Sequence, residues 1–211
     1  VMGIGRAFEE SLLKSVRSLE TGAYHLHISK FDKLNKNALL DYIKIGTDDR
    51  IYAIAQLLRL GGGAEEIASA SFVDKFFVQK IKNIVSMEKN LKENPDDIKI
   101  LYKAKRLGFS DREIAFLWEK SERDIFETRV NNKIMPVYKM IDTCASEFES
   151  YIPYFYSVYE DENESIVSDS RKIIVLGSGP IRIGQGIEFD YSSVHAVQTL
   201  KRAGYEAIII N

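Results

Sequence analysis

Between Arg6 and about Asn132, apolar residues recur at intervals of three and four with polar residues between them, the period of helices that bury one face. Phe8, Leu12, Leu13, Val16 and Leu19 make one such stripe. Ile51, Ile54, Ala55 and Leu58 make a second, stopped by Gly61-Gly62-Gly63. The longest predicted helix runs from about Phe72 to Leu91, with Val73, Phe76, Phe77, Ile81, Ile84, Val85 and Leu91 on a broad face. Ser71 stands at its expected N-cap, with Asp74 three residues on.

Three shorter helices follow, each with a start signal. Asn94-Pro95 opens a segment that ends at Gly108, Ser110 with Glu113 reads as a capping box, and Ser121 with Asp124 is a similar pair. Such closely spaced punctuation suits small multihelical subdomains better than a long coiled coil. Arg59-Leu60-Gly61 followed by Glu66-Ile67-Ala68 returns as Arg106-Leu107-Gly108 followed by Glu113-Ile114-Ala115, at the same internal spacing. This echo is either a duplicated helical subdomain or a chance likeness between two helix–glycine–helix corners.

After Asn132 the pattern changes. Met135 to Phe148 and Tyr151 to Tyr159 are rich in Val, Ile, Thr, Tyr and Phe, and predict extended chain folded back over the helices. Glu160 to Ser170, acidic and serine-containing, reads as an exposed linker. Then Lys172 to Leu176 predicts a strand of the kind buried in parallel sheets, Gly177 to Gly186 a glycine-rich turn, Tyr191 to Arg202 a helix, and Glu206 to Ile210 a second strand. The expected fold is therefore mainly α, two small multihelical subdomains followed by a truncated α/β unit of βαβ form. Val1 to Gly5 looks like the middle of a strand, so the chain reads as an excerpt from something longer.

Composition narrows the function classes. The 211 residues, 45% hydrophobic and 28% charged, suit an ordinary globular protein, and a net charge of −2 without long like-charge blocks gives no footprint for nucleic acid or an anionic membrane. The longest apolar runs, such as Ile173 to Leu176, are too short to cross a bilayer. The single cysteine, Cys144, excludes an intramolecular disulfide and suits a cytoplasmic setting; with no His or basic cluster beside it, a buried inert thiol is expected. His25 and His27 lack a third ligand nearby and read as surface residues rather than a zinc pair. His195 falls on an ordinary helix, and Trp118 is expected to anchor the second helical subdomain.

A strand, Gly177-Ser178-Gly179 and a helix invite a dinucleotide reading. The spacing opposes it: the third glycine of that fingerprint would fall at Arg182, and the second strand ends in Asn211 rather than an acidic residue. A nucleotide-binding oxidoreductase fragment and a stand-alone helical interaction module stay as alternatives.

The run Gly177 to Tyr191, above all Gly-Gln-Gly-Ile-Glu-Phe-Asp-Tyr at Gly184 to Tyr191, strongly resembles the opening motif of the domain that precedes the ATP-grasp fold in the carbamoyl-phosphate synthetase large subunit. Val1 to Arg6 with Glu10-Ser11-Leu12 resembles the end of the first synthetase half in that family. Pro136 to Lys139, Asp142 to Ala145 and Glu147-Phe148 resemble the close of its oligomerisation domain, and Tyr154 to Glu160 the run just after it. The resemblance divides the chain into the end of the first half at 1–22, a helical oligomerisation or connection domain at 23–160, a linker at 161–170, and the start of the pre-ATP-grasp domain of the second half at 171–211.

That family makes carbamoyl phosphate from bicarbonate, glutamine-derived ammonia and two ATP with Mg2+ or Mn2+, for arginine and pyrimidine biosynthesis. Its ATP-grasp residues are expected outside this chain, so the resemblance implies no catalytic residue, cofactor or metal site here and an inactive isolated chain. It implies as partners the rest of the large subunit, a glutamine amidotransferase subunit or domain, and further copies of the chain. Phe72, Phe76 and Phe77 are candidates for either core or oligomer interface. Arg182, Gly186 and Glu188 are candidates for lining the passage that carries carbamate to the second active site, Glu188 alternatively capping the helix at Tyr191.

Overall fold

A computed structural model describes residues 1–144, 147–148, 153–177, 179 and 186–210, with the side chains of 186–190 left aside. The chain forms two units, Gly3–Glu164 and Ser165–Asn211 with Val1–Met2. The first holds α1 (Phe8–Ser18), a short 3-10 turn (Ser29–Phe31), α2 (Lys36–Ile43), α3 (Arg50–Arg59), α4 (Ala64–Ser71), α5 (Lys75–Glu93), α6 (Ile98–Arg106), α7 (Asp111–Leu117), α8 (Glu122–Asn131), β1 (Val137–Met140) and β2 (Phe155–Val158). The second holds β3 (Lys172–Leu176), α9 (Gly186–Arg202) and β4 (Glu206–Ile210). The mainly α architecture with a small βαβ unit is the one the periodicity predicts.

Most helix boundaries follow the capping residues. Ser121 accepts from the Asp124 amide at 3.1 Å while Asp124 accepts from the Ser121 amide at 3.0 Å, a complete capping box. Ser110 accepts from the Glu113 amide at 3.1 Å. Three starts differ from expectation: α9 begins at Gly186 rather than Tyr191, and two others lie in the first unit. Ser71 ends α4, its hydroxyl donating back to the Ile67 carbonyl at 2.7 Å, because Phe72 turns left-handed at φ 56°; α5 begins instead under Asp74, which accepts from the Phe76 amide at 2.8 Å. Asn94 closes α5, and α6 is capped by Asp97, which accepts from the amides of Lys99 and Ile100.

The echo at the two Arg-Leu-Gly corners is structural. At each, the glycine is left-handed (Gly61 φ 80°, Gly108 φ 88°), its amide donates to the carbonyl three residues back, and the next amide donates to the carbonyl five back, Gly62 to Leu57 and Phe109 to Ala104. The likeness continues at a constant offset of 47 residues: Ile67 and Ile114 are fully buried, Phe72 and Glu119 are both left-handed, and Asp74 and Ser121 both cap the next helix. Thus α3–α4–α5 and α6–α7–α8 repeat one pattern. They share one core, in which Leu57, Ile67, Ile84 and Leu91 join Leu101, Ile114 and Ile125, each fully buried side chain contributing about 2 kcal/mol.

Val1 to Gly5 forms no strand. A side chain at Gly3 would meet the Ser11 carbonyl at 2.3 Å, so this glycine lets the segment lie flush on α1. The expected extended return over the helices is present: β1 and β2 pair antiparallel, Val137 opposite Val158, and Tyr159 packs on the core. The start of the acidic segment is engaged rather than free. Asn163 accepts from the Tyr138 amide, the Glu164 amide donates to the Tyr138 carbonyl, and Glu164 accepts from the Met140 amide, so the edge of β1 is covered.

In the second unit β3 and β4 are parallel, Lys172 opposite Glu206 through Leu176 opposite Ile210, and α9 packs against both. The apolar run of β3 is not wholly buried: Ile174 is 57% and Leu176 77% exposed. Alternating side chains point to opposite faces, and a two-stranded sheet with one helix covers only one of them.

Candidate functional site

The first turn of α1 and the first turn of α5 bring three aromatic rings together. Phe8 lies 6.1 Å from Phe76 and 5.3 Å from Phe77, and Phe76 and Phe77 lie 5.3 Å apart, mostly edge to face. Phe76 and Phe77 remain about half exposed, and Lys80 sits over the Phe76 ring at 5.4 Å. Phe72 stands beside the start of α5 with 91% of its surface exposed. Plain core packing, one of the two roles expected for these side chains, is therefore not what they have.

The repeat supplies an internal comparison. Offset by 47 residues, Phe72, Phe76 and Phe77 correspond to Glu119, Arg123 and Asp124, all exposed. Backbone and exposure are alike at these paired positions, aromatic in the first repeat and charged in the second, where Phe116 and Phe126 are exposed at other positions. A bulky side chain in the left-handed region is strained, and glycine or asparagine would relieve it. Neither folding nor solubility calls for phenylalanine at position 72.

Other predicted residues fall as follows. Arg182 lies outside the described residues, and Gly186 and Glu188 lie in the first turn of α9, where their side chains are outside the description. His27 is on the surface, paired with Asp32 at 2.8 Å, but His25 is buried: its Nε2 lies 2.8 Å from Glu88 Oε1 and its ring 4.8 Å from Phe109. Cys144 is half-buried rather than buried. His195 is exposed on α9, 4.0 Å from the Tyr191 ring. Trp118 is buried, and its Nε1–H donates to the Leu91 carbonyl at 2.8 Å, which anchors α7 to α5.

Periodicity missed the buried charges, since polar residues at helical spacing read as solvated. Burial works to raise the Glu88 carboxyl, but hydrogen bonds from Arg59 and His25 outweigh it and lower it to about 2. Lys105, buried with Asp111 at 2.6 Å and bonded to the Phe109 carbonyl, is lowered to about 8 chiefly by burial. Arg129 holds the other oxygen of Asp111 at 3.0 Å. Arg6, Glu10, Arg106, Tyr159 and Glu160 line a cleft of about 290 Å³. Among the described residues no group of three His, Cys, Asp or Glu side chains converges to hold a metal ion, and no helix is long and apolar enough to cross a membrane.

Residues 1–133, which span all of α1 to α8, match the family model of the carbamoyl-phosphate synthetase large chain, oligomerisation domain. The chain belongs to the carbamoyl-phosphate synthetase large-chain family. Residues 169–211 match a second model, the carbamoyl phosphate synthase preATP-grasp domain, which covers β3, the glycine-rich turn, α9 and β4. The turn thus has its counterpart in a carbamoyl-phosphate synthetase domain rather than in a dinucleotide fingerprint. The aromatic corner of α1, α4 and α5 lies inside the oligomerisation-domain match, and so does its charged counterpart.

Proposed function

We propose that this chain is the connecting and self-associating segment of a carbamoyl-phosphate synthetase large subunit, and that Phe72, Phe76 and Phe77 anchor its contact with a second copy. The observation that carries this reading is the Phe72 ring, 91% exposed on a strained left-handed backbone where the repeated corner has Glu119. Exposed aromatic clusters on a closed helical scaffold are the usual anchors of an interface. The oligomerisation-domain match supports a second copy as the occupant.

In this reading the parent works in the cytoplasm on bicarbonate and ATP with Mg2+ or Mn2+, with ammonia delivered by a glutamine amidotransferase subunit or domain, for arginine synthesis, pyrimidine synthesis or both. The helices join the first synthetase half to the second, and the βαβ unit opens the second. ATP-grasp residues lie elsewhere in the parent, so the isolated chain makes no carbamoyl phosphate. Family resemblance supports Arg182, Gly186 and Glu188 as lining of the carbamate passage.

Sedimentation velocity over a concentration series tests the interface. The chain is expected to self-associate, and Phe72→Glu with Phe76→Glu to weaken association at least about tenfold, or about 1.4 kcal/mol. Equal association by the double variant would overturn the assignment of these residues. A monomer at every concentration would overturn the self-associating role.

A further inference from the structure

One ammonium holds the two ends of the helical unit. Lys14, on α1, directs its three N–H groups to the Ile4 carbonyl at 2.8 Å, the Ser157 carbonyl at 2.6 Å and Glu10 Oε1 at 2.8 Å. Glu10, almost fully buried, uses its other oxygen to accept from the Arg6 amide at 2.8 Å. Ile4 and Arg6 lie where the chain comes into this unit, and Ser157 where it is about to leave, more than a hundred residues later.

The surroundings make the junction tight. A side chain at Gly5 would meet Glu10 at 2.7 Å, and one at Gly108 would meet the Glu10 Cα at 2.7 Å, so the incoming segment and the α6–α7 corner both press on this residue. Arg17, one turn after Lys14, donates to the Gly108 carbonyl at 2.9 Å. The outer pairs, Arg6 with Glu160 at 3.2 Å and Arg106 with Glu160 at 3.9 Å, involve half-exposed guanidiniums and add little, about 0–1 kcal/mol each. The Lys14–Glu10 pair, with Glu10 buried and Lys14 about a quarter exposed, carries the connection, because its bonds are charge-assisted and two of them end on backbone carbonyls, that of Ser157 at the surface.

We propose that Lys14 is a staple that makes the incoming and outgoing segments one rigid block, so that in the parent a displacement of the first synthetase half is passed to the second. This rests on the connecting role proposed above. A lysine needed only for helix stability would be satisfied by Glu10 alone. In this proposal, bonding segments near both ends of the helical unit makes Lys14 a positioning residue for the timing of the two ATP-consuming steps.

The test uses the full large chain with its amidotransferase and the variant Lys14→Met, which keeps the stem and removes the donors. Amide exchange across residues 4–6 and 157–160 is expected to quicken about tenfold or more. ATP consumed per carbamoyl phosphate is expected to rise, while each half's separate ATP reaction stays within about twofold of the parent. Unchanged exchange would overturn the staple, and faster exchange with an unchanged ATP ratio would overturn its coupling role. If Lys14→Met does not fold, Glu10→Gln gives the same comparison, with a smaller rise expected and an unchanged ATP ratio again overturning the coupling. A wild-type parent that makes no carbamoyl phosphate from bicarbonate, ammonia and ATP would overturn the proposed function, an outcome separate from these.

Discussion

Arg59 holds both oxygens of Glu88, its Nε bonded to Oε2 and its terminal nitrogen to Oε1, each at 2.7 Å. The same guanidinium donates to the Leu26 carbonyl at 2.8 Å, so α3, α5 and the loop after α1 meet at one buried carboxylate. Glu88 titrates near 2 in the fold, below the ordinary 4.5. Its stabilisation is complete above about pH 4.5 and drains away as pH falls towards about 2, on the order of 3 kcal/mol in all. Glu88→Gln is expected to lower unfolding free energy by a similar amount at pH 7. Urea titrations at stepped pH should show the gap between variant and wild type closing on acidification.

Phe72 gives a prediction with two opposite signs. Phe72→Gly removes left-handed strain and surrenders almost no buried area in the monomer, so it should stabilise by about 1 kcal/mol. Self-association should weaken in the same variant. Thermal unfolding at low concentration and sedimentation at high concentration read the two effects separately.

Gly61 and Gly108 are equivalent in the repeat but not in their surroundings. Around Gly61 nothing lies within 4 Å of an added side chain, so Gly61→Ala should cost only the left-handed penalty, about 1 kcal/mol. Gly108→Ala adds a clash with the Glu10 backbone and should cost about 3 kcal/mol or more. Urea midpoints of the two variants should differ accordingly.

Trp118 is the chain's single tryptophan, buried in the helical unit. Its emission should be blue-shifted in the native state and report the unfolding of that unit alone. Trp118→Phe leaves the Leu91 carbonyl without its indole donor and should destabilise by about 2 kcal/mol, measured by circular dichroism.

Much of this architecture could be read from the chain itself, because helix ends are local chemistry. Ser110, Ser121 and the two left-handed glycines announce themselves through the donors or turns they satisfy. Ser71 misled because it sits where a cap would, and only the turn at Phe72 shows that the helix before it was still running. Partnerships across distance left no local mark. His25 finds Glu88 from 63 residues away, and Lys14 finds Ser157 from 143. The aromatic candidates were visible as large apolar side chains, but whether they faced inward depended on where α1 and α4 came to rest against α5.

The difference between the two repeats sets a limit on assembly. A molecule with a sticky corner on each repeat could recruit a new neighbour at either side and grow into open-ended strings. If copies meet through the aromatic corner as proposed, charge at Glu119, Arg123 and Asp124 leaves the two equivalent corners with one adhesive face between them, and growth through these corners stops at the pair.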